Sequence, residues 1–184
     1  MTRIDERSTT VSPDQAFRVA ADVERWPEIL PHYRWVRFRD RRAFGRGVVE
    51  MAAWRDFGGP LRYPTWWVSE MEADPAVPIV RYRHIEGITT AMAVRWEFLP
   101  EPGGTLVRVV HEWDGPRWPL IRWPAANLVI GPVFVSAIAR RTIAGVCAEA
   151  ERTDPPAVRE RPYAREAARS DPRIDSSADR GTAG

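Results

Sequence analysis

The sequence predicts an α+β fold, a curved seven-stranded antiparallel sheet wrapped around one long C-terminal helix, with two short helices after the first strand. Three observations predict it. Segments between Tyr33 and Asp114 alternate apolar and polar residues with period two. Short Gly- and Pro-containing turns separate them. Beyond them, Phe134, Val135, Ile138, Ala139, Thr142, Ile143, Val146, Cys147 and Ala150 recur at helical spacing, predicting a helix from about Leu128 to Arg152.

Taken in order, Thr2 to Val11 alternates loosely and suits an edge strand. Ser12-Pro13-Asp14-Gln15 then supplies an N-cap hydroxyl, a proline for the first helical turn and a capping-box glutamine. Ala16, Phe17, Val19, Ala20 and Val23 give that helix its apolar face. Pro27 suits the first turn of a second helix, Glu28 to about His32, which Pro31 weakens. His32 itself is expected to be exposed. Six strands follow: Tyr33–Arg42, Gly47–Phe57, Leu61–Glu72, Ile79–Ile85, Ala91–Leu99 and Leu106–Asp114. Asp114 to Pro124 is a proline- and tryptophan-rich connection into the long helix.

With 184 residues, 44% of them hydrophobic, residues 1–152 can bury one core without disulfides. Residues 153–184 carry four prolines, six arginines and six acids with little that is apolar, so a disordered charged tail is expected. No apolar run is long enough to span a bilayer and no leader is visible, so a cytoplasmic protein is expected. Cys147, the single cysteine, sits on the helical apolar face as a core residue or, alternatively, a lone thiol nucleophile. One thiol without a ligand cluster makes no metal site, and no cofactor is expected. All 27 basic residues are arginine, which excludes lysine Schiff-base chemistry. They are spread among 25 acids rather than gathered in a stripe, which argues against nucleic acid as a partner. Seven of the nine tryptophans lie between Trp35 and Trp118, suiting either a dense core or a cavity for flat apolar ligands.

One strand, two short helices, six strands and a long helix make the helix-grip layout. Here the chain resembles the START-like superfamily, and within it the polyketide cyclase/aromatase group, over about Arg3 to Arg152. The resemblance rests on Asp22-Val-Glu-Arg-Trp-Pro-Glu-Ile-Leu-Pro-His-Tyr33, Trp67-Val-Ser69, Val80-Arg-Tyr-Arg-His-Ile-Glu86 and Val94-Arg-Trp-Glu-Phe98, followed by Gly103-Gly-Thr-Leu-Val-Arg108. It implies a hydrophobic ligand, held between sheet and helix, and in the aromatase branch aldol closure of a poly-β-keto chain with loss of water. A carrier-protein-bound polyketide is one form that ligand takes. The resemblance also puts Trp26 and Tyr33 at the pocket mouth. Where the aromatases carry two arginines, this chain has Met71 and His84.

Alternation assigns the inward faces. Val107, Val109, His111 and Trp113 share one face of the last strand; Met92, Val94, Trp96 and Phe98 share one of the strand before it. Val80, Tyr82 and His84 form another, as do Trp67, Ser69 and Met71. The helix adds Phe134, Ile138 and Thr142, and Arg55 is a candidate cation on the face of Val49, Met51 and Ala53. Aldol chemistry needs a proton acceptor and donors for the enolate oxygen. His84 and His111 are the candidate proton carriers, with Tyr33 and Ser69 orienting a carbonyl. Trp26, Trp67, Met71, Tyr82, Trp96, Trp113, Arg55, Phe134, Ile138 and Thr142 are the candidate ligand contacts. A histidine on an apolar strand face is more often a hydrogen-bonded part of a solid core. Two functions remain open: a metal- and cofactor-free polyketide cyclase/dehydratase, or a non-catalytic carrier of a quinone, lipid or other hydrophobic small molecule. A protein-interaction module like the superfamily's ribosome-associated toxins would need a clearer basic face. Oligomeric state is not legible.

Overall fold

Seven antiparallel strands form one sheet: β1 (Thr2–Thr9), β2 (Tyr33–Ala43), β3 (Arg46–Asp56), β4 (Arg62–Asp74), β5 (Ile79–Gly87), β6 (Ala93–Glu101) and β7 (Gly104–Glu112). Their order is β1-β7-β6-β5-β4-β3-β2. This computed structural model describes residues 1–43, 45–56, 62–115 and 135–154. Of the predicted charged tail only Thr153, the last residue of the long helix, and Asp154 are described; residues 155–184 and the connection from residue 116 to residue 134, Phe134 included, lie outside. Six strands follow as a meander, and the first strand returns to pair with the last, Ile4 opposite Val110.

Between β1 and β2 stand α1 (Pro13–Ala21), a single 3-10 turn (Val23–Arg25) and the short α2 (Trp26–Ile29). Ser12 caps α1 as its sequence requires, its Oγ accepting from the Gln15 amide at 3.3 Å. The second helix begins earlier than expected and ends at Ile29, because Leu30 turns extended ahead of Pro31. The long helix, α3, is described over Ser136–Thr153; the expected turns from Leu128 to Phe134 fall outside the described residues.

Curvature has a visible cause. β2 changes register against β3 at Tyr33/Trp35, Phe38/Asp40 and Arg41/Ala43, and each irregularity bends the strand. On β5 one extra residue, Ile85, falls between the pairs Val68–Glu86 and Ser69–His84. His84 stays inward by alternation with Tyr82, and the bulge pairs Glu86 rather than Ile85 with Val68, leaving Ile85 37% exposed.

The core fills the concave side: Val49, Val80, Val107 and Val146 are fully buried. Phe17 of α1 meets Phe98 edge-on at 5.9 Å. Cys147 is buried there, and burial pushes its thiol up to about 11, so it stays protonated near neutrality. α3 approaches α2 closely because Gly145 faces Leu30; a Cβ there would stand 2.1 Å from Leu30 Cδ2. That contact sets the distance from α3 to the segment Leu30–Tyr33, and with it one side of the site.

Candidate functional site

An interior cavity of about 100 Å³ lies between the sheet and α3. Its apolar wall is made by Trp26, Trp67, Trp96, Met92, Val94 and Ile138. Its polar groups include Tyr33, Tyr82, His84, Thr89, His111 and Thr142. Rows of the sheet explain the grouping. Met71, Tyr82, Val94 and His111 are successive cross-strand partners through β4, β5, β6 and β7. Tyr82 and His111 are therefore two strands apart on the same inner face.

Aromatic rings fix the wall. Trp26 packs on Tyr33 and Trp96 with centroids 5.1 and 5.8 Å apart, and Trp67 stacks on His84 at 6.0 Å. The His84 ring is held further by Thr89, whose Oγ1 is 2.7 Å from Nδ1. Thr89 arrives there through the β5–β6 turn, where Ala91 takes a φ of 70° and donates its amide to the His84 carbonyl at 2.9 Å.

Burial sets the charge states. It pushes His84 down to about 3, with nearby His111 adding to the effect, and His111 down to about 4. Both imidazoles are neutral near pH 7. Burial also raises the Tyr33 and Tyr82 hydroxyls, so both remain protonated. Tyr82 Oη and His111 Nδ1 in this cavity are buried and have no hydrogen-bond partner among the described residues. A buried donor left unpaired costs about 1–3 kcal/mol.

Around Thr142 the opposite holds. Its Oγ1 donates to the Ile138 carbonyl at 2.8 Å and lies 3.0 Å from His32 Nε2 and 3.4 Å from Tyr33 Oη. His32, expected at the surface, is 9% exposed. Its carbonyl accepts from the Trp54 amide at 2.7 Å, which turns the side chain toward α3 rather than solvent.

Of the candidate residues, Trp26, Tyr33, Trp67, Tyr82, His84, Trp96, His111, Ile138 and Thr142 come together at the cavity. Four others are not among its lining residues. Ser69 is fully buried between Val49 and His84 in the sheet, its Oγ unpartnered. Met71 packs in the core with Tyr82 as its cross-strand neighbour. Trp113 is tied to the β5–β6 turn, its Nε1 donating to the Thr90 carbonyl at 2.9 Å. Arg55 lies near the end of β3, half-buried and opposite Tyr63. Ser69 and Met71 are buried as alternation predicts, but alternation carries no information on depth along a strand, and Trp113 lies just past the end of β7. Thr65, Trp66, Ile88 and Thr89 line the cavity without having been singled out. Trp66 and Ile88, 47% and 51% exposed, stand at its mouth; Trp26 and Tyr33, expected there, are instead buried at 2% and 7% exposure. No signal of period two could find residues in a turn; the adjacent Trp66-Trp67 pair was the one available cue. Among the described residues no cluster of His, Cys, Asp or Glu is arranged to hold a metal ion, and no helix is long and apolar enough to cross a membrane.

A curved antiparallel sheet closed over a long helix, with a cavity between them, defines the helix-grip fold. Residues 9–134 match the family described as polyketide cyclase / dehydrase and lipid transport, and the chain belongs to that family. Solved structures share the fold. TTHA0849 from Thermus thermophilus is 20% identical, with 84% of this chain and 100% of that one covered and a TM-score of 0.69. The Zhui aromatase/cyclase from Streptomyces sp. R1128 is 22% identical, covering 83% and 95%, with a TM-score of 0.65. Norcoclaurine synthase from Thalictrum flavum is 12% identical, covering 83% and 94%, at 0.63. At such identities the likeness is one of fold. Among proteins with curated annotation, none matches the sequence.

Proposed function

We propose that this chain binds a neutral aromatic or poly-β-keto ligand in the cavity and promotes its aldol cyclisation and dehydration. One observation carries the reading: Tyr82 Oη and His111 Nδ1 are buried, with no hydrogen-bond partner among the described residues, in a cavity whose wall is largely aromatic and aliphatic. Unpaired polar atoms in an apolar pocket are what an oxygen-bearing apolar ligand would satisfy. A carbon between two carbonyls would lose its proton to neutral His84, while Tyr82 and His111 hydrogen-bond the enolate oxygen. That carbon then bonds to a second carbonyl carbon of the same chain, whose oxygen takes a proton. A further α-proton and this hydroxyl leave together as water. An enolate beside His84 would raise the basicity that burial lowers. The substrate could arrive free or tethered to a carrier protein.

A second reading, a non-catalytic carrier of a quinone or lipid, is favoured by the same depressed histidines. At about 3 and 4, neither is a strong base in the empty cavity. Native mass spectrometry of the purified protein, followed by incubation with a linear poly-β-ketone, separates the two. Ring closure lost in His84→Gln with retained binding supports the cyclase; retained ligand with no conversion by the unsubstituted protein supports the carrier.

A further inference from the structure

On the convex face of the sheet, away from the cavity, a groove of about 620 Å³ runs from β3 to β7. Alternation builds its floor. Tyr82 and Val94 point inward and are buried, so Arg81, Arg83, Ala93 and Arg95 point outward. Arg81 is the cross-strand partner of Arg95, and Arg83 of Ala93. Neighbouring strands lie about 5 Å apart and alternate residues of one strand about 7 Å. Three arginines therefore surround one alanine methyl, and two of them stand directly opposite each other, where like charges repel. Arg95 is compensated by Glu97, whose Oε1 accepts from its Nε at 2.7 Å. Arg81 and Arg83 are not. Glu72, opposite Arg81, is taken by Arg46, and among the described residues the side chains of Arg81 and Arg83 have no ion pair or hydrogen bond.

We propose that Arg81, Arg83 and Arg95 form a binding site for one phosphomonoester group, seated over Ala93 and bridging β5 to β6. Guanidinium forks match phosphate oxygens in pairs, and an anion between Arg81 and Arg95 turns their repulsion into shared attraction. The short side chain of Ala93 leaves the space. Carboxylates set the size of the ligand: Glu70 and Glu72 stand on the β4 side and Glu112 on the β7 side. They repel a second anionic group, so one phosphate fits and a polyanion such as nucleic acid does not. The site is independent of what the cavity holds, since it opens on the other face. Its position is still informative. The β5–β6 ladder runs from Ile79–Glu97 to Arg83–Ala93, so the bound phosphate clamps the stretch of sheet whose inner side carries Tyr82.

Glycerol 3-phosphate, a dianion at about pH 8, is the probe, titrated into the full chain at low ionic strength by calorimetry and amide NMR. A dissociation constant of about 1 mM is expected, with the largest shifts at Arg81–Arg83 and Ala93–Arg95. Arg81→Gln and Arg83→Gln should each weaken binding about tenfold, the loss of one charge-assisted hydrogen bond. Ala93→Glu, at an exposed position the fold tolerates, should abolish binding by placing a carboxylate where the phosphate sits. Arg18→Gln, on α1, should leave it unchanged. Unaltered affinity in Arg81→Gln or Ala93→Glu, or no binding at about 20 mM probe, overturns the proposal. Vesicles of phosphatidylcholine carrying phosphatidic acid distinguish the source of the phosphate. Binding to them that is lost in Arg81→Gln assigns a lipid headgroup; glycerol 3-phosphate binding without vesicle binding assigns a free phosphomonoester. Heparin bound through the same arginines more tightly than glycerol 3-phosphate would show a polyanion surface and overturn the single-phosphate site.

Discussion

The imidazole of His84 lies against the indole of Trp67, planes inclined by 20°, with Thr89 closing its Nδ1 edge. That enclosure is why the ring is neutral, and it ties protein stability to pH. The folded-state values of His84 and His111, about 3 and about 4, lie below the ordinary 6.5. As pH falls, the unfolded chain therefore takes up protons first.

Stability from this pair is fully present above pH 6.5 and is lost as pH falls toward the folded values. The slope is about 1.4 kcal/mol per pH unit for each histidine, or on the order of 5 kcal/mol between pH 6.5 and about 4.5. Glu50 and Glu149, lowered from 4.5, add their losses only below that window. Urea titrations at several pH values should show the decline, and the His84→Gln/His111→Gln double variant should flatten it.

Gly145 marks where α3 touches Leu30, which is 1% exposed and has little room to move. Gly145→Ala should destabilise the protein by about 1–3 kcal/mol by overpacking. Gly145→Ala/Leu30→Ala should recover part of that loss relative to Leu30→Ala alone. A double-mutant cycle by chemical denaturation measures the coupling.

Thr105, fully buried at the start of β7, donates its hydroxyl to the Val11 carbonyl at 2.7 Å and pins the chain between β1 and α1. Thr105→Val keeps the volume and leaves that carbonyl unpaired, so a loss of about 1–3 kcal/mol is expected. Thr105→Ser should lose less, by the same denaturation assay.

What was legible in the chain follows from periodicity. Alternation at Tyr82/His84, Trp96/Phe98 and Val109/His111 placed those side chains on the inner face, and helical spacing placed Ile138 and Thr142 opposite them. Alternation says nothing about height along a strand. Ser69 and Met71 share the face of Trp67 yet end in the core beside the cavity. His32 was illegible for another reason: its burial depends on Thr142, 110 residues away, and on a backbone bond to Trp54. The motif Pro31-His32-Tyr33 carries no trace of either. Thr89 reaches His84 only because Ala91 adopts a left-handed conformation, which alanine rarely takes.

The central claim is that Tyr82 Oη and His111 Nδ1, which have no hydrogen-bond partner among the described residues, serve a ligand, and Tyr82→Phe tests it most directly. Removing a buried hydroxyl with no partner should raise the stability of the empty protein by about 1 kcal/mol. The same change should weaken binding of 2-acetonaphthone about tenfold. Scanning calorimetry and titration on one preparation give both numbers. A higher melting temperature with weaker binding is the predicted result. A lower melting temperature with unchanged binding would mean that Tyr82 serves the fold and not a ligand.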